Sequence, residues 1–344
     1  MSHWLLVTGD LPPTFTGGIA SWIEDLARAL VGAGHRVTVL GRAGRDTAAA
    51  EAAWDASRPY RVHRMWTRSW QRWQARWVDL HGRSLLAGVD HVLFSTWALA
   101  PHLGARARAR GLPVGIAFHG SDLTRLPSPP PALAAALAAS TARLPVSAFL
   151  AGELARLGGQ ATAVLPMPLP LPAPPAVEPA RAGLVCVARL TPLKGVDRAI
   201  ALARALGEPL TVVGEGPEEG RLRALAGEGV RLVGRLDREA VGALQASSRA
   251  TLLLSRADRD GSGAEGLGLT LIEGMAVGAL AIGSRTGGIP EAVGPGLVLD
   301  EPEAPALDQV RAALTDPQAG ARARAWVHAH HGPARCLATL EACL

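Results

Sequence analysis

PMPLPLPAPPAVEPARAGLVCVARL, residues 166–190, decides how the rest of the chain is read. Seven prolines lie between Pro166 and Pro179. Proline fixes its own φ and lacks a ladder donor, so this density blocks helix and sheet and leaves a semi-rigid extended connector. Just beyond it, GLVCVARL (183–190) starts a strand-then-helix pattern for a second time. Two domains follow, as 344 residues also suggest at about 150 residues per domain. We place a first domain at 1–168, the linker at 169–180 and a second domain at 181–325.

On the amino side of the linker, strand-like and helix-like runs alternate. WLLVTG (4–9) is an apolar strand, and DLPPTFTGG leads to a helix from Ile19 to about Gly32 with Ile23, Leu26, Ala27 and Leu30 at helical spacing. HRVTVLG (35–41), YRVHRM (60–65), HVLFST (91–96), PVGIAFHG (113–120) and LPVSAF (144–149) read as further strands. On the carboxyl side, PLTVVGEG (209–216), VRLVGRL (230–236), TLLLS (251–255), LAIGS (280–284) and GLVLD (296–300) continue the pattern, and the chain reads as helical from Ala304. Alternation of this kind predicts parallel sheets covered on both faces. The fold class is therefore α/β, with two Rossmann-like doubly wound domains and a ligand cleft at the carboxyl ends of the strands.

Composition excludes several classes. The apolar fraction of 48% is that of an ordinary globular protein. Cys186, Cys336 and Cys343 are few and lack metal-ligand spacing, which predicts reduced thiols and a cytoplasmic protein. MSHWLLVTGD has no basic leader, and no apolar run is long enough to span a bilayer. Net charge is +5, but Arg61 to Arg83 alone carries six Arg and one Asp, and the remainder holds 29 basic and 29 acidic residues. A neutral protein with one basic segment is not a nucleic-acid-binding surface.

The basic residues are arginines with one exception, Lys194, and the chain has no asparagine. That bias, with abundant Ala, Gly and Pro, looks like GC-rich coding drift, which makes the surviving lysine informative. Lys194 and Arg189 sit in VARLTPLKG (187–195), the turn after the first strand of the second domain. Phosphates bind there in such sheets, and two cations could neutralise a leaving diphosphate. A compact ammonium is not interchangeable with a planar guanidinium.

Glu265-Gly-Leu-Gly-Leu-Thr-Leu-Ile-Glu273 opens a helix after a strand and a loop. Gly266 and Gly268 allow close backbone approach, and the helix start offers N–H groups and a positive dipole to an anion. Carboxylates repel phosphate but accept from hydroxyls. Two of them flanking an anion-binding helix end suit ribose, diphosphate and sugar in one ligand. PPTFTGGI (12–19) is a glycine-rich turn matching neither common phosphate-loop pattern, and FHGSD (118–122) brings His119 and Asp122 to a strand end. Asp258-Arg-Asp260 could hold a metal, but its Gly/Ser-rich surroundings favour a solvated loop.

GGI near the start, HGSD, ARLTPLKG, VVGEGP, the Glu265-to-Glu273 motif and GGIPEAV (287–293) occur together in one order. In that order and spacing the chain resembles the retaining glycosyltransferase family 4, with the GT-B fold, over most of its length. The resemblance implies an enzyme that moves a sugar from a nucleotide-diphosphate sugar to an acceptor hydroxyl, in polysaccharide or glycolipid synthesis, with retained anomeric configuration and no metal or other cofactor. It implies that Arg189 and Lys194 hold the diphosphate, Glu273 the ribose and Glu265 the donor sugar's hydroxyls. It places amides around Gly268, Leu269 and Thr270 on the phosphate and sugar, and Gly234 and Arg235 near the base. Gly17 and Gly18 would close over the donor, His119 would lie near the transferring sugar, and Asp122 joins the donor-binding set. The segment 326–344 would return to the first domain. The family's Asn-Gly-Val-Asp before the linker is replaced here by Met167-Pro-Leu-Pro170. A nucleotide-sugar epimerase and a non-catalytic sugar-nucleotide binding protein are the competing readings.

The basic segment bears on the acceptor. Trp66, Trp70, Trp73, Trp77 and Leu80 are spaced 4, 3, 4 and 3. On a helix they fall within about 80° of one another, with Arg64, Arg68, Arg72 and Arg76 on the opposite side. Such a stripe either packs on the first domain or meets an interface. Tryptophan prefers the membrane boundary, and arginine would add attraction to anionic headgroups. The second alternative would make the enzyme peripheral on the inner face of the membrane, beside a lipid-linked acceptor. The same helix could instead wall a soluble sugar-acceptor site.

Overall fold

The computed structural model describes residues 1–45, 47–65, 80–257 and 263–344. The chain divides into two compact units, Met1–Pro170 with His331–Leu344, and Leu171–His330.

The first unit contains β1 (His3–Val7), β2 (Arg36–Arg42), β3 (Arg61–Met65), β4 (His91–Phe94), β5 (Val114–Phe118) and β6 (Ala142–Pro145), in the order β3-β2-β1-β4-β5-β6. Every pairing is parallel, with Leu5 of β1 set between Thr38 and Val92. Burial explains the sequence signal. Central strands are covered on both faces, so β1 and β5 are almost continuously apolar and buried, whereas the edge strand β3 alternates. The helix Gly18–Gly32 buries Ile23, Leu26, Ala27 and Leu30, three and four residues apart, as its spacing predicts.

The second unit repeats the arrangement with β7 (Leu184–Val187), β8 (Leu210–Val213), β9 (Val230–Leu232), β10 (Ala250–Leu253), β11 (Leu280–Ser284) and β12 (Leu297–Leu299), in the order β12-β11-β10-β7-β8-β9. Cys186, Ile200, Leu252 and Ile282 are fully buried at its centre. Burial pushes the Cys186 thiol up to about 12, and Cys336 is buried and pushed up in the same way. Both are core groups rather than nucleophiles. In each sheet the strand order reverses once, between β1 and β4 and between β7 and β10. Ligands of doubly wound sheets bind at such a reversal, outside the carboxyl ends of the strands.

Three expectations change. LPVSAF (144–149) is not one strand: β6 ends at Pro145 and a helix runs from Ala148 to Arg156. Ser147 caps that helix, its hydroxyl accepting from the Leu150 N–H at 3.1 Å, a contact worth about 1 kcal/mol. The returning segment begins at His331, not at residue 326. The helix Ala319–His330 stays with the second unit, where Trp326 lies against Gly294, and Pro333–Cys343 packs on the helix Gly18–Gly32. Arg64 does not belong to a basic helix face. It sits in β3 with its guanidinium buried between Glu51 and Asp55. Among the described residues no helix is long and apolar enough to cross a membrane.

Candidate active site

At the switch point of the second sheet, the loops after β7 and β10 approach until backbone touches backbone. Gly195 has φ 61° and ends a short turn, Pro192–Lys194; a Cβ there would lie 1.9 Å from the Leu254 carbonyl oxygen. Only glycine fits, and the close approach carries Lys194 over the end of β10. Arg198 secures the seam by donating to the carbonyls of Leu254 and Ser255 at 3.2 and 3.1 Å. Arg256 grips Asp197 through two hydrogen bonds of 2.7 and 3.0 Å. Burial alone would raise the Asp197 carboxyl, but Arg256 and Arg221 outweigh it and hold the group below its ordinary range.

The consequence is an ion pair between Lys194 Nζ and Glu265 Oε2, across 71 residues of chain. Their side chains are 23% and 15% exposed, so the pair is partly shielded from solvent. Ser255 Oγ lies 3.5 Å from the same carboxylate oxygen, and its carbonyl accepts from the Ser284 hydroxyl at 2.7 Å. The Glu265 backbone is fixed from below: its carbonyl accepts from the Gly288 N–H at 2.9 Å, and a Cβ on Gly287 would lie 2.2 Å from that oxygen. This explains the pair of glycines in GGIPEAV as a close backbone approach that seats Glu265.

Gly268 precedes the helix Leu269–Ala276 with φ 99°. Leu269 and Thr270 occupy its first turn, and the buried Gln245 amide donates to the Thr270 carbonyl at 2.9 Å. Glu273 is one turn further on, 3.7 Å from the Arg238 guanidinium. Arg189 follows β7, exposed and without an ion pair to a described residue. Gly234, after β9, accepts through its carbonyl from the Gly214 N–H at 2.8 Å, and Arg235 is exposed beside it. The described residues singled out in the second half of the chain thus gather at the carboxyl edge of one sheet. Sequence reasoning missed the direct pairing of Lys194 with Glu265, and with it Ser255, Arg198 and Gly287. The only sequence signals for these were the serine after TLLL and the adjacent glycines 287 and 288.

In the first unit, Gly17 and Gly18 are exposed at the start of their helix. His119 and Asp122 lie just past β5. The Asp122 carboxylate accepts from the His119 and Gly120 backbone N–H groups at 3.3 and 2.9 Å and so fixes the turn. Burial pushes the Asp122 carboxyl up to about 6, against those same hydrogen bonds. The His119 ring stands edge-on to Trp22 at 4.5 Å, and burial pushes it down to about 3. The imidazole is therefore neutral at neutral pH, fit to hydrogen-bond but not to carry a charge. Trp66, Trp70, Trp73 and Trp77, with Asp258 and Asp260, lie outside the described residues.

Among the described residues, a lysine–glutamate pair over the switch point, an exposed arginine after β7 without an ion pair and a glycine-led helix end share the carboxyl edge of the second sheet. On two doubly wound sheets they define a nucleotide-sugar glycosyltransferase of the GT-B fold. Residues 16–171 match the family described as Glycosyltransferase Family 4, and residues 176–326 that described as Glycosyl transferases group 1. The GDP-mannose-dependent alpha-(1-6)-phosphatidylinositol monomannoside mannosyltransferase of Mycobacterium tuberculosis is 30% identical, the match covering 87% of this chain and 86% of that one. Among solved structures, sucrose-phosphate synthase from Thermosynechococcus elongatus superposes with a TM-score of 0.75 at 20% identity, covering 99% of this chain and 98% of the other. AviGT4, a glycosyltransferase involved in Avilamycin A biosynthesis, gives 0.74 at 20% identity, covering 99% and 96%. The chain belongs to glycosyltransferase family 4.

Proposed function

We propose that the enzyme moves a mannosyl unit from GDP-mannose to a hydroxyl of an inositol-phospholipid acceptor, retaining the anomeric configuration and using no metal ion. The observation that carries the leaving-group chemistry of this reading is the Lys194–Glu265 pair. An ammonium parked on a carboxylate is a cation held ready, and a donor diphosphate would draw it away. The freed carboxylate can then accept hydrogen bonds from the donor sugar. The mycobacterial relative's use of GDP-mannose and a phosphatidylinositol mannoside supports the choice of donor and acceptor.

In this reading Arg189 and Lys194 neutralise the diphosphate as its bond to the sugar breaks, which is the main catalytic contribution. The N–H groups around Gly268, Leu269 and Thr270 bind phosphate and sugar oxygens. The acceptor hydroxyl attacks from the face the diphosphate is leaving, and its proton passes to a diphosphate oxygen. Protein cations do the work that a metal would do, so transfer should survive EDTA. Gly234 and Arg235 contact the base. In the first unit, Gly17 and Gly18 contact substrate, and neutral His119 hydrogen-bonds the sugar, with Asp122 holding its turn.

Glu273 binds ribose, a contact similar in ground and transition states, so it acts on binding more than on rate. A thermal-shift panel checks donor and residue together. GDP-mannose should raise the midpoint more than UDP- or ADP-sugars do, and Glu273→Ala should lose most of that rise. A larger shift with another base would reassign the donor.

The lipid acceptor suits a peripheral enzyme. The Trp66, Trp70, Trp73 and Trp77 stripe with its arginines would supply the contact with an anionic surface. Salt-sensitive co-sedimentation with anionic vesicles, lost on Trp70→Ala with Trp73→Ala, is the expected result. Wild-type protein remaining in the supernatant at low salt would remove the membrane contact from the proposal.

A further inference from the structure

The first unit contains a buried charge cluster that the reaction scheme leaves unused. Glu51, in the helix Ala48–Ala56, and Arg64, in β3, have side chains 5% and 8% exposed. The Arg64 guanidinium is 3.2 Å from Glu51 and holds Asp55 through hydrogen bonds of 2.7 to 3.1 Å. Burying ionic groups is a poor way to gain stability, because desolvation consumes most of the attraction, and an apolar set would join the helix to the strand as well. The cluster also does something an apolar set could not do. It reaches into the loop between β1 and the helix Gly18–Gly32 and grips it at successive points. Arg64 donates to the Pro12 carbonyl, and the Thr14 hydroxyl donates to Glu51. The Glu51 carboxylate also accepts from the Gly44 N–H at 2.8 Å, and Gly44 packs against the Thr14 side chain. One residue further along, Arg42 stacks its guanidinium over the Phe15 ring at 3.8 Å. Three strand ends, those of β1, β2 and β3, are thereby tied to one segment of loop, at whose tip Gly17 and Gly18 stay exposed.

We propose that Glu51, seated by Arg64 and acting through Thr14, is a positioning residue for glycosyl transfer: it sets loop 12–18 in the shape in which Gly17 and Gly18 meet substrate. This rests on the reading of those glycines as substrate contacts. The glycines cannot define their own conformation, since they lack the side chains that restrict one. The shape is imposed from the anchored half of the loop, and a small misplacement is costly in a site that works by orientation.

The test compares full-length wild type with Glu51→Gln, Thr14→Val and Thr14→Ser, using amide hydrogen exchange over residues 14–18 and steady-state transfer from GDP-mannose to a phosphatidylinositol monomannoside. Thr14→Val keeps the volume and removes the hydroxyl, and the unfolding midpoint is recorded for each variant so that exchange and transfer are read on folded protein. Both Thr14→Val and Glu51→Gln should exchange faster in the loop and lose about tenfold in kcat/KM, and Thr14→Ser should restore both readouts. Unchanged loop exchange in the two variants overturns the positioning role. Faster exchange with unchanged kcat/KM also overturns it, while leaving the transferase assignment intact. A wild-type enzyme that leaves GDP-mannose unconsumed instead contradicts the donor assignment, and the exchange arm still reads Glu51 and Thr14.

Discussion

Replacing Lys194 by Ala should lower turnover at saturating donor by at least about tenfold. The ammonium sits at the switch point of the second sheet, held over the end of β10 by a turn that only Gly195 permits. Negative charge builds on the diphosphate as its bond to the sugar breaks, and a cation placed there before the reaction needs no reorganisation when it happens. The loss should therefore appear in kcat and not in KM alone. Lys194→Arg should be impaired as well, because a planar fork is longer and differently directed than the ammonium that pairs with Glu265. Turnover is read per folded molecule, with the unfolding midpoint recorded for each variant, since removing Lys194 also leaves Glu265 without its ion pair. Near-normal turnover at saturating donor would end the leaving-group role.

Glu265→Gln should move two readouts in opposite directions. Turnover should fall by about tenfold or more, because in the proposed scheme the carboxylate accepts hydrogen bonds from the donor sugar as the diphosphate departs. GDP should bind more tightly, by at least about threefold, because in the proposed scheme the nucleotide takes Lys194 from Glu265 and in the variant Lys194 is already released. The pair is partly exposed, at 23% and 15%, so solvent moderates the gain. A mere packing role for Glu265 would weaken both readouts together. Isothermal titration with GDP, beside kinetics with GDP-mannose, separates the two accounts. Weaker GDP binding by the variant would show that the pair is not a competitor of the diphosphate.

The sequence made the two doubly wound units legible because central parallel strands must be apolar on both faces, and each such run in the chain became a strand of the expected sheet. It erred where two patterns overlap. Val146 to Phe149 continues an apolar run, yet Ser147 starts a helix there, since a capping hydroxyl outweighs apolarity in choosing the backbone. Arg64 fits the four-residue spacing of the arginines that follow it, but burial beside Glu51 and Asp55 places it in β3. Lys194 and Glu265 could each be singled out from composition and motif. Their pairing could not, because it depends on β7 and β10 being neighbours, a property of strand order and not of local spacing. Glu51 carried no sequence signal, lying in an alanine-rich helix with nothing to distinguish it from a solvated glutamate.

The central claim is most directly tested by following the anomeric proton by NMR. The full-length enzyme is incubated with GDP-mannose, a phosphatidylinositol monomannoside and EDTA, with a parallel sample lacking the acceptor. The account predicts GDP release that depends on acceptor, and a new glycosidic linkage with the donor's own anomeric configuration, at an undiminished rate in EDTA. An epimerised sugar nucleotide in the sample without acceptor, or an inverted linkage in the complete one, would contradict it.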